Sequence, residues 1–170
     1  MKEKINTSCL VPFLFAIYMV LLVWIILFKL QLSISELDKI RSINLIPFYY
    51  ANKIGMKFHL KEVIENILIF IPLGIYLCMF KHKLEFKMKL FIILTVCFIL
   101  EILQYILGVG ITDITDIITN TCGGIMGIGL YVSAVKIFHV EEQGNRVFTI
   151  FAAVVTAIVV GGLSFLLILN

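Results

Sequence analysis

The stretch from Glu101 to Tyr131, EILQYILGVGITDITDIITNTCGGIMGIGLY, decides the fold. It contains two apolar segments that meet at Gly108-Val-Gly110, and polar side chains interrupt both of them. Because helices joined by a short loop pack antiparallel, we expect the polar faces of the two segments to meet. Glu101 and Gln104 share a face of the first segment, since residues at i and i+3 are neighbours on a helix. At about 100° of rotation per residue, an arc of roughly 80° on the second segment holds the following residues: Asp113, Asp116, Asn120, Gly123, Gly127 and Tyr131.

The composition is that of a membrane protein. Of 170 residues, 61% are hydrophobic and 15% are charged, and the mean hydropathy is +1.09. A chain this apolar requires the bilayer as its solvent, and each span requires about 20 apolar residues. We therefore predict an all-α integral membrane protein, a bundle of about five transmembrane helices in a single domain of residues 1–170. The predicted spans are residues 9–28, 63–80, 89–107, 114–135 and 147–169.

A long, partly apolar loop separates the first two predicted helices. It runs from Leu30 to Glu62 and contains the apolar stretch Ile43-Asn-Leu-Ile-Pro-Phe-Tyr-Tyr50. Aromatic and aliphatic side chains gain by leaving water, so we expect this loop to lie on the membrane surface or to fold back over the helices. Pro47 favours an extended backbone at Ile46 and argues against one continuous helix.

The charged residues indicate orientation rather than a nucleic-acid partner. The net charge is +3, and the basic residues lie between the apolar runs instead of along one stripe. A short connection carries Lys81, Lys83, Lys87 and Lys89, and such loops face the cytoplasm. We therefore predict a cytoplasmic N-terminus and an outside C-terminus, which places the polar residues toward the outer leaflet. The four cysteines, Cys9, Cys78, Cys97 and Cys122, fall in different apolar segments and are interpreted as small core residues.

Among the polar residues, Glu101 is the carboxylate that lies deepest within a predicted span. A carboxylate within a span costs at least about 2.5 kcal/mol unless it is neutralised or paired. Arg41, Gln104 and Asn66 are its candidate partners. In a structural interpretation, Glu101 and Gln104 bond to Asn66 and Asn120 and lock the helices together. In a functional interpretation, the same groups form an outward-facing pocket for a ligand of the cell envelope.

Other residues of the stretch have structural roles available to them. Asp113 is placed to cap a helix N-terminus, and Asp116 would lie at the third helical position, where the helix dipole favours a carboxylate. Gly123 and Gly127 form a small-xxx-small pair that allows close helix approach.

Enzyme chemistry has weaker signals. Three carboxylates could hold a divalent cation or perform acid–base chemistry. No metal-ligand spacing is present, and no serine or cysteine nucleophile has an evident histidine beside it, since His59, His82 and His139 fall in predicted loops. We predict no metal and no cofactor, and the sequence favours a non-enzymatic protein while leaving the enzyme alternative open.

Four motifs follow one another along the chain. They are Arg41-Ser-Ile-Asn-Leu-Ile-Pro-Phe48, Asn66-Ile-Leu-Ile-Phe-Ile-Pro-Leu-Gly74, Glu101-Ile-Leu-Gln104 and Gly110-Ile-Thr-Asp-Ile-Thr-Asp-Ile-Ile-Thr-Asn-Thr-Cys-Gly-Gly124. Together they resemble the VanZ-like family. The resemblance implies a small bacterial membrane protein, one relative of which lowers susceptibility to teicoplanin, a glycopeptide that binds cell-wall precursors outside the cell. Many members carry a basic residue near the start of the fourth helix, and this chain lacks it.

These observations lead to one functional prediction with two alternatives. We predict that the protein confers or modulates resistance to teicoplanin-type glycopeptides through an outward-facing polar site. This site would bind a lipid-linked peptidoglycan precursor, a glycopeptide or a protein partner. Membrane lipids are the other predicted partners of the chain. The alternatives are an intramembrane enzyme that modifies such a precursor or a lipid, and a non-catalytic scaffold. The oligomeric state is not predicted. The candidate site residues are Arg41, Asn44, Asn66, Glu101, Gln104, Asp113, Asp116 and Asn120.

Overall fold

The computed structural model of the chain describes residues 7–28, 40–49, 56–80, 84–138, 145–154 and 156. Long helices dominate, and two short strands interrupt them. In chain order the elements are α1 (Thr7–Phe28), β1 (Ile40–Asn44), α2 (Met56–Phe80), α3 (Phe86–Leu107), β2 (Val109–Asp113) and α4 (Ile114–Phe138). The chain divides into two compact units, one of which is Leu22–Val132 and contains every candidate site residue. The other combines the segments before and after it.

Within the described residues, four helices are long and apolar enough to cross a membrane. Their spans are Leu10–Leu27, Leu60–Phe80, Phe86–Leu107 and Ile114–Ile137. They coincide with the first four predicted spans, so the class of helical membrane protein is confirmed. The fifth predicted span begins within a shorter apolar helix, Asn145–Val154, and most of its remainder lies outside the described residues, so the number five stays a prediction.

Helix α2 begins earlier than the apolar pattern predicts. It starts at Met56 rather than at residue 63, and its first turns are polar. Lys61 and Glu65 form an i,i+4 pair there, with 3.7 Å between Nζ and Oε1, and both side chains are exposed. Such pairs support a helix outside an apolar environment, which is why hydropathy alone placed the start too late.

A two-stranded parallel sheet lies within what the sequence suggested was loop and turn. β1 pairs with β2 in the register Ile40↔Val109 to Asn44↔Asp113. Parallel strands require a crossover, and the α2–α3 segment provides it. Residues 40–49 of the long connection are thereby placed against the segment between α3 and α4, while residues 29–39 and 50–55 lie outside the described ranges.

Helices α2 and α4 approach each other closely at glycine residues. A Cβ atom added at Gly127 would overlap the carbonyl oxygen of Ile71, and one at Gly123 would overlap that of Ile67. The predicted small-xxx-small contact is therefore confirmed, and α2 is its partner. Gly74 of α2 contributes equally, because a Cβ there would overlap the carbonyl oxygen of Gly124.

Two assignments of polar or small residues need correction. Cys78 and Cys97 are buried as predicted, but Cys122 is exposed, on a face of α4 where Ile118 and Ile125 are exposed as well. The side chain of Cys9 lies outside the described residues. Lys89, predicted to lie in a loop, is instead buried in the first turn of α3.

Candidate functional site

The end of α3 determines where the site forms. Gly108 caps this helix in the left-handed conformation, at φ 66°, and its N–H donates to the carbonyl oxygen of Tyr105 at 3.2 Å. Glycine adopts this conformation without the penalty that a Cβ would bring, so the chain leaves α3 abruptly and enters β2. The reversal returns Asp113 to the level of Glu101, as the antiparallel arrangement predicted.

Glu101 is held by the backbone that follows its own helix. The N–H of Asp113 donates to Glu101 Oε2 at 3.1 Å, and Thr112 Oγ1 donates to the carbonyl oxygen of Glu101 at 3.3 Å. Glu101 is only 2% exposed. A buried carboxylate requires donors, and the start of α4 supplies one of them.

Asp113 joins three elements. Its Oδ1 accepts from the N–H of Thr115 at 2.8 Å, which is the bond of a helix N-cap and confirms the predicted capping role. Its Oδ2 accepts from Asn44 Nδ2 at 3.0 Å, across the final pair of the sheet. A single carboxylate therefore caps the N-terminus of α4 and accepts a hydrogen bond from the end of β1.

Asn44 organises the turn after β1. Its Oδ1 accepts from the N–H of Ile46 at 3.1 Å, and its Nδ2 also donates to the carbonyl oxygen of Ile46 at 3.1 Å. Beyond Pro47, Phe48 adopts a positive φ of 57°, and its N–H donates to Thr115 Oγ1 at 2.9 Å. Both ends of this turn are thus tied to the start of α4.

Asp116 connects α4 to α2. Asn66 Nδ2 donates to Asp116 Oδ1 at 2.8 Å, and Asp116 lies in the first turn of α4, where the helix dipole favours its charge. These two residues are partly exposed, whereas Glu101, Asp113 and Asn120 are buried. The Asn66–Asp116 pair is therefore the accessible edge of the site.

Two amide oxygens remain without a donor in the described ranges. Gln104 Nε2 donates to the carbonyl oxygen of Ile26 in α1 at 2.9 Å, while Gln104 Oε1 is buried and has no donor among the described residues. Asn120 Oδ1 is likewise buried without a partner, and Asn120 is 1% exposed. The structural interpretation, in which Glu101 and Gln104 bond to Asn66 and Asn120, thus had the wrong partners.

The eighth predicted residue, Arg41, is described in its backbone alone. It lies in β1 opposite Gly110, and its side chain lies outside the described residues. Its pairing with Glu101 remains a prediction. Among the described side chains, no group of three His, Cys, Asp or Glu residues lies in the arrangement of a metal site.

Threonines also belong to the site, although they are not among the residues predicted from the sequence. Thr115 is 2% exposed and Thr119 is 3% exposed, and Thr112 and Thr115 both bond within the cluster. The repeated Ile-Thr-Asp unit contained a signal, since four of the five residues from Thr112 to Asp116 are polar in an otherwise apolar segment. Threonine is also common in membrane helices as a small packing residue, so the pattern by itself favours only the two aspartates as site residues.

The fold and site define a class, namely a multi-spanning helical membrane protein. In it, carboxylate and amide side chains from α2, α3, α4 and the sheet gather at one end of the spans. The family model described as VanZ/LLP1 matches residues 15–139, a range that includes all eight candidate residues, and the chain belongs to this family. It is 41% identical over 120 residues to Protein VanZ of Enterococcus faecium, covering 69% of this chain and 71% of that protein. No solved structure matches the chain.

Proposed function

We propose that this protein protects bacterial cells against teicoplanin-type glycopeptides by binding a cell-envelope component at the polar cluster. The cluster consists of Asn44, Asn66, Glu101, Gln104, Asp113, Asp116 and Asn120, together with Arg41. Similarity to Protein VanZ supports the resistance role. The gathering of buried carboxylates at one end of the spans is the structural observation that supports a binding site, since ionisable groups at membrane depth are costly and usually functional.

The chemistry of the cluster favours a ligand rich in hydrogen-bond donors. Its side chains present carboxylate and amide oxygens, and Gln104 Oε1 and Asn120 Oδ1 have no donor among the described residues. The sugar and peptide headgroup of a lipid-linked peptidoglycan precursor carries many N–H and O–H groups. Such a headgroup would approach at the accessible Asn66–Asp116 edge. A glycopeptide offers similar donors and is the second ligand of this class.

Charge-removing variants test the binding role. Glu101→Gln retains an oxygen that can accept from the N–H of Asp113, and Asp116→Asn retains one for Asn66, so both variants should insert and fold. We expect both to lose teicoplanin protection, measured as the minimal inhibitory concentration at matched protein level. Glu85→Gln removes an exposed carboxylate at the opposite end of α3 and serves as the control. Full protection by Glu101→Gln and Asp116→Asn would contradict the proposal.

The proposal also requires that the cluster face outward. Lys61 lies near the start of α2, at the same end of the spans as Asp116, and Glu85 precedes α3 at the other end. We expect an impermeant thiol reagent to label Lys61→Cys on intact cells and Glu85→Cys only after lysis, each in a background without native cysteines. The reverse pattern would place the cluster on the cytoplasmic side and exclude direct contact with an external glycopeptide.

An intramembrane enzyme is the second candidate, and the grouping of Glu101, Asp113 and Asp116 favours it. Carboxylates in one buried site are able to act as acid and base. Expression of an enzyme would change the muropeptide or lipid profile of the cell, whereas a binding protein would leave both unchanged. A scaffold, the remaining alternative, predicts that Glu101→Gln and Asp116→Asn lose protein level and protection in parallel.

A further inference from the structure

An apolar turn stands exposed beside the polar cluster. It comprises Leu45 to Tyr49, and Ile43 precedes it on the exposed side of β1. Every residue of the turn is exposed, including Leu45 at 73% and Phe48 at 47%. A run of exposed aliphatic and aromatic side chains is unfavourable in water and marks a surface that contacts something apolar.

Four backbone groups of the turn have hydrogen-bond partners within the protein, namely the N–H and carbonyl of Ile46 and the N–H groups of Phe48 and Tyr49. Asn44 bonds both the N–H and the carbonyl oxygen of Ile46, and that carbonyl also accepts from the N–H of Tyr49 at 3.3 Å. The N–H of Phe48 donates to Thr115 Oγ1. Non-helical backbone is tolerated near hydrocarbon when its polar groups have protein partners. The turn therefore combines internally paired polar groups with exposed apolar side chains.

The attachment points of the turn set its depth. Asp113 and Thr115, which hold it, lie at the start of the span Ile114–Ile137, and β2 connects this span to the end of Phe86–Leu107. Ile106 and Leu107, in the last turn of α3, are also exposed apolar residues. The turn is thus attached at about the level of Glu101, toward the ends of two apolar spans whose own side chains are exposed there.

We propose that the apolar turn inserts into the interfacial region of the lipid leaflet, with the upper acyl-chain methylenes and the glycerol backbone of phospholipids as its partner. Phe, Tyr, Leu and Ile are the residues that favour this region. The inference does not depend on what the polar cluster binds. In this arrangement the apolar turn contacts lipid directly beside the Asn44–Asp113 hydrogen bond.

Tryptophan fluorescence tests the insertion in the full chain. Trp24 is the single native tryptophan, so Leu45→Trp is introduced together with Trp24→Phe. The protein is reconstituted in phosphatidylcholine vesicles whose acyl chains are brominated near the glycerol end or near the methyl end, and iodide is present on both sides. We expect strong loss of fluorescence from bromines near the glycerol end, weaker loss from those near the methyl end, and little loss from iodide.

Two control positions show how quenching differs between the end and the middle of a span. Glu85→Trp, at the exposed N-cap directly before the span Phe86–Leu107, should be quenched more by iodide and less by bromines than Leu45→Trp. Phe98→Trp, on an exposed face in the middle of α3, should respond most to bromines near the methyl end. Iodide quenching of Leu45→Trp equal to that of Glu85→Trp would overturn the proposal. So would protection from both quenchers, which would mean that another protein segment or a second copy covers the turn. Ile46→Trp repeats the test should Leu45→Trp fail to fold.

Discussion

Removing the carboxylate of Asp113 should destabilise the protein more than removing any exposed carboxylate. The Asp113→Ala variant loses the cap bond to the N–H of Thr115 and the bond from Asn44 Nδ2. Loss of a helix cap costs about 1 kcal/mol, and a hydrogen bond to a charged group contributes about 1.5–3 kcal/mol. The sum is about 2.5–4 kcal/mol. Asn44 keeps its bonds to Ile46, so we expect a value toward the lower end.

The chain contains a matched control for this variant. Glu85 also occupies a helix N-cap, yet it makes no side-chain capping bond and is exposed. Glu85→Ala should therefore change the free energy of unfolding by less than about 0.5 kcal/mol, as exposed substitutions usually do. Asp113→Asn should fall between the two alanine variants, because asparagine caps as well as aspartate but is a weaker acceptor for Asn44.

The assay is unfolding by SDS titration in mixed micelles, followed by circular dichroism. It compares the unfolding free energies of Asp113→Ala, Asp113→Asn and Glu85→Ala under one set of conditions. If Asp113→Ala were as stable as Glu85→Ala, the hydrogen bonds of Asp113 would contribute nothing, and the account of how α4 and β1 are joined would be refuted.

Two further predictions concern packing and the turn. Gly127→Ala should lower the free energy of unfolding by about 1–3 kcal/mol, because its Cβ would overlap the carbonyl oxygen of Ile71. Gly129→Ala, with open space around it, should be neutral or slightly stabilising. SDS titration distinguishes the two variants, and equal stabilities would contradict the close α2–α4 contact. Thr115→Val removes the acceptor for the N–H of Phe48 and should speed hydrogen exchange at that amide, whereas Thr115→Ser should not. Unchanged exchange in the valine variant would show that another group protects the amide.

The sequence was informative wherever a property depends on residues close along the chain. Hydropathy located the four spans within a few residues, except at the polar start of α2. The N-cap at Asp113 and the close approach at Gly123 and Gly127 were predictable because each depends on local spacing along one helix. The helical projection also placed Asp116 and Asn120 correctly on the face of α4 that is turned to the protein.

Partners far apart in sequence were less predictable. Glu101 was expected to bond amide side chains, and it instead accepts from the N–H of Asp113, because Gly108 turns the chain back on itself. The sheet between β1 and β2 was missed, since each strand is a five-residue piece inside a longer segment with no alternating pattern. The burial of Lys89 was not predicted, because a lysine lowers the mean hydropathy of its segment whether its side chain is buried or exposed.

The amino-acid sequence by itself determined that this chain is a helical membrane protein, which polar residues interrupt its spans, and to which family it is related. These properties follow from composition, periodicity and ordered motifs, which need no knowledge of distant contacts. The tertiary structure alone decided that Asn44 hydrogen-bonds Asp113, that Asn66 hydrogen-bonds Asp116, and that the apolar turn is attached to Thr115 through the N–H of Phe48. The bonded atoms in these pairs belong to residues 50 or more apart in the chain, so each contact depends on how the helices and the sheet pack rather than on any local preference.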